Sequence, residues 1–281
     1  EEGPQIRTID QTGDCGGGLE DTKEATNRSP PPPCRVYCTA GVHPHDAKTW
    51  DASSLDKLRA LATSPFCVSL GECGLDYDRM FSPRESQLAV FEEQCALAAA
   101  LRMPLFVHVR EVSPDNPPLG AYADAIEILR RYADAGLSPE RVVVHCFTGS
   151  DAELHQVLDA GFKVGFTGYL GMAKRAGVTV EAVKQIGGAS MRGRMMIETD
   201  SPFMMPDKPW FKPCGGTKAV GVRSGKNEPC LLPAVARCLA SALECEPEAI
   251  AQDTSGTAVR FFGFEQADTA VDAWGMFDRR E

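Results

Sequence analysis

Short apolar runs recur along this chain, each followed by a polar or glycine-rich stretch and then by a longer segment whose apolar residues fall three and four apart. Runs at 35–40, 66–70, 104–109, 141–144, 162–166 and 194–197 are rich in Val, Leu, Ile and Phe, the composition of strands buried on both faces. The intervening segments predict a helix over 55–62, where Leu55, Leu58, Leu61 and Ala62 share one face, and another over 83–101. For the latter, Ser82 reads as the N-cap and Pro83 as the first helical residue. Further helices are predicted over 121–135, closed by Gly136, over 151–160, closed by Gly161, and over 180–186. An irregular segment, 206–229, precedes two C-terminal helices at 231–243 and 247–262.

Strand–helix alternation of this kind predicts a parallel sheet and an α/β fold, here a TIM-type (β/α) barrel. A closed barrel needs eight strands. The pattern supplies six, with 5–9 a weak seventh, so the barrel is expected to be incomplete at its N-terminus, with a first strand and helix missing. Residues 1–33 combine a glycine-rich stretch, a brief helix candidate at 19–27 and the run Pro30, Pro31, Pro32, Pro33, and are expected to be a poorly structured remnant. The barrel is expected over 34–264, and 265–281 reads as a C-terminal tail of mixed charge.

With 281 residues, 43% of them hydrophobic, the chain can bury one large core. A formal net charge of -10 is the wrong sign for a broad basic surface that grips nucleic acid. A phosphate-bearing substrate would therefore need a local positive centre, which bound divalent cations supply. The 11 cysteines are scattered and form no C-x-x-C pair, so they read as free thiols in a reducing compartment. The sequence carries no signal segment and no apolar run long enough to span a bilayer. A soluble, cytoplasmic protein without a membrane partner is expected.

Candidate chemistry gathers where the strands end. Glu72, His108, His145 and Asp200 each follow an apolar run closely, and Asp200 shares its strand end with Glu198. Singly, each has a structural explanation, as a half-buried histidine, a turn residue or a helix cap. Jointly they point to one metal site at the C-terminal rim of a barrel, since the chain has 5 histidines and two of them fall at equivalent strand ends. Imidazole and carboxylate together suit Mg, Mn or Zn, with positions left for water and substrate. His43 reads as a substrate contact in the loop after the first strand, His45 as a loop residue leading into a helix, and His155 as an exposed helical residue.

Five segments, in order, resemble the TatD family of metal-dependent deoxyribonucleases: Thr39-Ala40-Gly41-Val42-His43-Pro44-His45, Gly71-Glu72-Cys73-Gly74-Leu75-Asp76-Tyr77, Val107-His108-Val109-Arg110, Val144-His145-Cys146-Phe147-Thr148-Gly149 and Ile197-Glu198-Thr199-Asp200-Ser201-Pro202, followed by Asn227-Glu228-Pro229. The resemblance covers 34–264. It implies a barrel metallohydrolase, cytoplasmic or nuclear, that removes nucleotides from DNA ends, probing the 3' end as an exonuclease, with RNA as an alternative substrate. It carries metal ligation onto Glu72, His108, His145 and Asp200, with one or two divalent cations, and suggests substrate contact or support for Asp76 and Arg110. In the mechanism it implies, Glu72 or Asp200 takes a proton from the attacking water and His43 stabilises the leaving oxygen. Asn227-Glu228-Pro229 is expected to clasp the final helix. The resemblance departs at the start, where the family's opening strand and its H-x-H pair have no counterpart, and a shortened N-terminus is expected. Two other readings fit the residues: a metallohydrolase of a small amide or ester, and a catalytically impaired chain that acts as a non-enzymatic partner.

Overall fold

The computed structural model describes residues 36–112, 117–212 and 226–264. The elements expected before residue 36, residues 213–225 of the irregular segment, and the tail lie outside those residues.

Six parallel strands form one sheet in sequence order. They are β1 (Cys38–Ala40), β2 (Cys67–Asp76), β3 (Leu105–Arg110), β4 (Val142–Val144), β5 (Lys163–Phe166) and β6 (Met195–Ile197). Between and after them lie α1 (Ser54–Ala62), α2 (Arg84–Leu101), α3 (Ala121–Arg131), α4 (Asp151–Asp159), α5 (Gly177–Met191), the single turn α6 (Lys208–Phe211), α7 (Leu232–Leu243) and α8 (Pro247–Phe262). Sequence order with parallel pairing is what successive βα units produce. None of the described helices is long and apolar enough to cross a membrane.

β3 shows how the sheet sorts its side chains. Leu105, Val107 and Val109 are buried, whereas Phe106, His108 and Arg110 are partly exposed on the opposite face. The first set joins the main core with Leu70, Leu75, Phe91 and Val144. On the other face, Phe106 packs with Val143, Met196 and Phe261, and α8 delivers Phe261 and Phe262 to that cluster. An aromatic plug thus fills the sheet's inner face below His108.

Three local readings of the sequence are corrected. β2 does not stop at residue 70 but runs to Asp76, so Glu72 lies within a strand and not in the loop after one. Its pairing with β3 shifts by one residue between Leu70 and Cys73, a bulge that turns Glu72 to the inner face. Glycines permit this close approach: at Gly74, with φ 138°, a Cβ would overlap the carbonyl oxygen of His108. Ser82 is not the cap of α2, because its hydroxyl donates to the His45 carbonyl (2.7 Å) and accepts from the Lys48 amide (3.1 Å). Pro83 takes the capping position instead. Finally, the third predicted helix ends at Arg131 and continues as a short 3-10 turn up to Gly136, and α5 is longer than its apolar pattern, with a break at Gly187.

Candidate metal centre

Glu72 stands at the middle of the site. Its Oε2 lies 3.6 Å from His43 Nε2 and 3.4 Å from His145 Nε2. His108 completes the ring of imidazoles, with ring centroids 4.6 Å from His43 and 5.6 Å from His145. Two groups of potential ligands result, His43 with Glu72 and His108, and Glu72 with His145 and Asp200, each with ligand atoms within 4.8 Å of one another. Glu72 belongs to both.

Local structure brings each residue there for a separate reason. His43 caps the 3-10 turn Pro44–Thr49, its Nδ1 accepting from the His45 amide (3.1 Å), so Nε2 is the nitrogen left to face Glu72. The β2 bulge places Glu72. Alternation along β3 places His108. His145 directly follows β4, whereas Asp200 stands three residues beyond the end of β6 with a left-handed backbone (φ 53°), which Asp tolerates better than most residues. Asn227 steadies that last turn: its Nδ2 donates to the Thr199 carbonyl (2.6 Å) and its amide to the Pro202 carbonyl (3.1 Å). The expected clasp is thus present, but it grips the loop bearing Asp200.

Charges in the site are strongly coupled. The His145 imidazole, 3.4 Å away, holds the Glu72 carboxyl at about 2 despite burial. Burial, with His108 and His45 beside it, lowers His43 to about 4 and leaves it neutral at physiological pH. Burial raises Asp200 to about 6, and the neighbouring Glu198 and Glu72 carboxylates push the same way. His145 is pushed down by burial but raised further, to about 10, by Glu198 and Glu72. Three carboxylates around one buried imidazole form a site with an excess of negative charge, which a cation neutralises. His145 is 4% exposed, yet neither of its ring nitrogens has a hydrogen-bond partner in the protein. An orphaned buried imidazole beside carboxylates fits a divalent cation.

The other expected residues separate into interior and rim. Asp76 is fully buried; its Oδ2 lies 2.8 Å from His45 Nε2 and 3.3 Å from His108 Nε2, while Oδ1 accepts from the amides of Asp78 and Arg79. Its contacts are those of the supporting role, one of the two that the resemblance suggests for it. Arg110 reaches the rim and pairs with Asp78 at 3.0 Å. His155 is exposed on α4, as expected. Sequence reasoning had left His45 as a loop residue and Glu198 without a role. The signal for Glu198 was present, since it is the first of two carboxylates leaving one strand.

An α/β barrel sheet carrying histidine and carboxylate ligands at its C-terminal strand ends defines a metal-dependent hydrolase. The profile of the family described as "TatD related DNase" matches residues 8–263. The chain belongs to that family. It is 33% identical over 251 residues to the 3'-5' ssDNA/RNA exonuclease TatD of Musicola paradisiaca, covering 89% of this chain and 86% of the relative. Its identity to the enzyme of the same name from Erwinia amylovora is 37% over 229 residues, covering 81% and 79%. Among solved structures, a TatD family hydrolase from Entamoeba histolytica superposes with a TM-score of 0.65 at 25% identity, covering 81% and 74%. The TatD homologue YJJV from Escherichia coli has the same fold, with a TM-score of 0.64 at 22% identity over 82% and 77%.

Proposed function

We propose that this chain is a divalent-cation-dependent nuclease that removes nucleotides from the 3' end of single-stranded DNA or RNA, the activity for which its relatives are named. The observation that carries the reading is the pair of ligand groups sharing Glu72 at the strand ends of a TatD-family barrel. We assign two cations, Mg or Mn at nucleic-acid phosphates and Zn as the alternative, to these groups, with Glu72 common to both. Asp76 at Nε2 of His108 leaves Nδ1 of that ring for a cation. Bound there, the cations supply the charge that polarises a phosphodiester and favours ionisation of nearby water.

The chain's own residues then have separable tasks. Glu72 stays ionised and binds. His43, neutral, offers Nε2 as a ligand next to the scissile phosphate, an extension of the expected substrate contact. Asp200 takes the proton of the attacking water; its Oδ2 faces Cys146 Sγ at 3.7 Å, leaving Oδ1 for that transfer. Arg110 at the rim meets the next phosphate. Two exposed rings suit unpaired bases: Phe81 packs edge-on against His45 at 4.7 Å, and Phe203, 67% exposed, follows Asp200 in the same loop.

The test is release of nucleotides from a single-stranded oligonucleotide labelled at its 5' end, with Mg, with Mn and with chelator. Cation-dependent shortening from the 3' end, lost in Asp200→Asn, is expected. Cleavage that persists in chelator or in that variant would overturn the assignment.

A further inference from the structure

Two carboxylates leave β6 together, and the ligand groups use one of them. Glu198 continues the ladder beyond the strand, its amide donating to the Phe166 carbonyl (3.0 Å). Its side chain then reaches across β5 to the end of β4. Oε1 accepts from the Cys146 amide (2.7 Å), and Oε2 lies 3.6 Å from His145 Nδ1. The crossing is open because residue 165 is glycine: a Cβ there would sit 2.6 Å from Glu198 Oε1. On the opposite edge of the same imidazole, Nε2 faces Glu72 at 3.4 Å, and Phe106 stacks on the ring with centroids 4.8 Å apart.

We propose that Glu198 is a positioning residue which, lying across bare Gly165 and pinned by the Cys146 amide, holds a carboxylate oxygen at the Nδ1 edge of His145, so that a cation binding this ring takes the place of the Nε2 proton and leaves the one on Nδ1. This rests on the two-cation reading and deepens it, since the second ligand group needs an unprotonated Nε2. A neutral imidazole carries its proton on one nitrogen, and the partner of the other edge decides which. A carboxylate is required rather than an amide. Glu198 has an acceptor on each side, Oε1 already accepting from the Cys146 amide and Oε2 standing 3.6 Å from Nδ1, whereas glutamine has a single acceptor oxygen. With that oxygen committed to Cys146, its NH2 group would face Nδ1, favouring the tautomer that protonates Nε2 and blocks ligation. Cys146 itself needs the anchor, as it follows the ligand with a left-handed backbone at φ 46°.

The experiment compares the full chain with Glu198→Gln and with Gly165→Ala, which leaves Glu198 in place but fills the space its carboxylate occupies. Manganese binding is followed by calorimetry, and the His145 ring nitrogens by 15N NMR on zinc-loaded protein. In both variants one of two manganese equivalents should weaken about 10- to 100-fold, the range for lost outer-sphere partners. The other equivalent should be unchanged, and the His145 Nδ1 resonance should show loss of its hydrogen-bonded proton. Wild-type binding of both equivalents in Glu198→Gln, with an unaltered Nδ1 resonance, would overturn the inference and leave the two-cation reading standing. If the wild-type chain binds no manganese, the two-cation reading fails and takes the inference with it, an outcome distinct from normal binding in Glu198→Gln. Gly165→Ala supplies the answer if Glu198→Gln does not fold.

Discussion

Asp76 contributes nothing to the surface and yet fixes two imidazoles. Burial alone would raise its carboxyl, but hydrogen bonds from His108, the Arg79 amide and His45 hold it well below the usual carboxylate range. Asp76→Asn removes the charge and one acceptor at a buried position, which should cost about 2 kcal/mol in urea unfolding of the cation-free chain. His45, joined to it at 2.8 Å, also supports Phe81. If that ring stacks a base, Phe81→Ala should lower kcat/KM on single-stranded DNA about tenfold, since one stacked base is worth about 1–3 kcal/mol. Manganese affinity should not change, which separates a substrate contact from damage to the metal site. The four candidate ligands were legible because an apolar run followed closely by His, Glu or Asp is visible in one dimension, although Glu72 and His108 lie inside their strands. Asp76 and Glu198 were not, because what they touch depends on neighbouring strands: β3 for one, β4 and the gap at Gly165 for the other.

At the scale of elements, α2 holds the site's two lowest-numbered ligands in register. Gln94, fully buried, makes a two-point contact with Val42, donating to its carbonyl (3.1 Å) and accepting from its amide (2.8 Å), one residue before His43. Gln87, two helical turns earlier on the same face, does the same for the Asp76 amide (2.8 Å) and carbonyl (3.1 Å) at the end of β2. Replacing Gln94 by leucine strands a buried amide and carbonyl and should cost about 2–4 kcal/mol, read as a lower urea midpoint with an unchanged slope. The end of α4 was readable from Gly161, which has positive φ, whereas Gly136 closes a 3-10 turn beyond the end of α3. The reach of β2 was not. Gly71 and Gly74 look like the start of a loop in the sequence, and their actual purpose, close passage beside β3, exists once the strands pair.

For the whole molecule the governing fact is a net charge of -10 combined with carboxylates drawn to one rim. A folded chain that gathers Glu72, Glu198 and Asp200 around His145 carries internal repulsion, which adds to burial in raising Asp200 to about 6. Cations that bind the folded state and not the unfolded chain relieve that repulsion and stabilise by mass action, by about 2.7 kcal/mol for one site at a hundredfold excess over Kd. For a chain of this size that corresponds to a rise of roughly 5–10 °C in Tm. Manganese added to chelated protein should therefore raise Tm in a concentration-dependent way. Glu72→Gln, which disables both ligand groups, should abolish the rise. Asp200→Asn touches one group and relieves part of the repulsion, so its cation-free Tm should equal or exceed that of the wild type, while the manganese increment falls to about half. An equal increment in Glu72→Gln would mean that the cations stabilise from elsewhere on the acidic surface, and the shared-carboxylate arrangement would have to be abandoned.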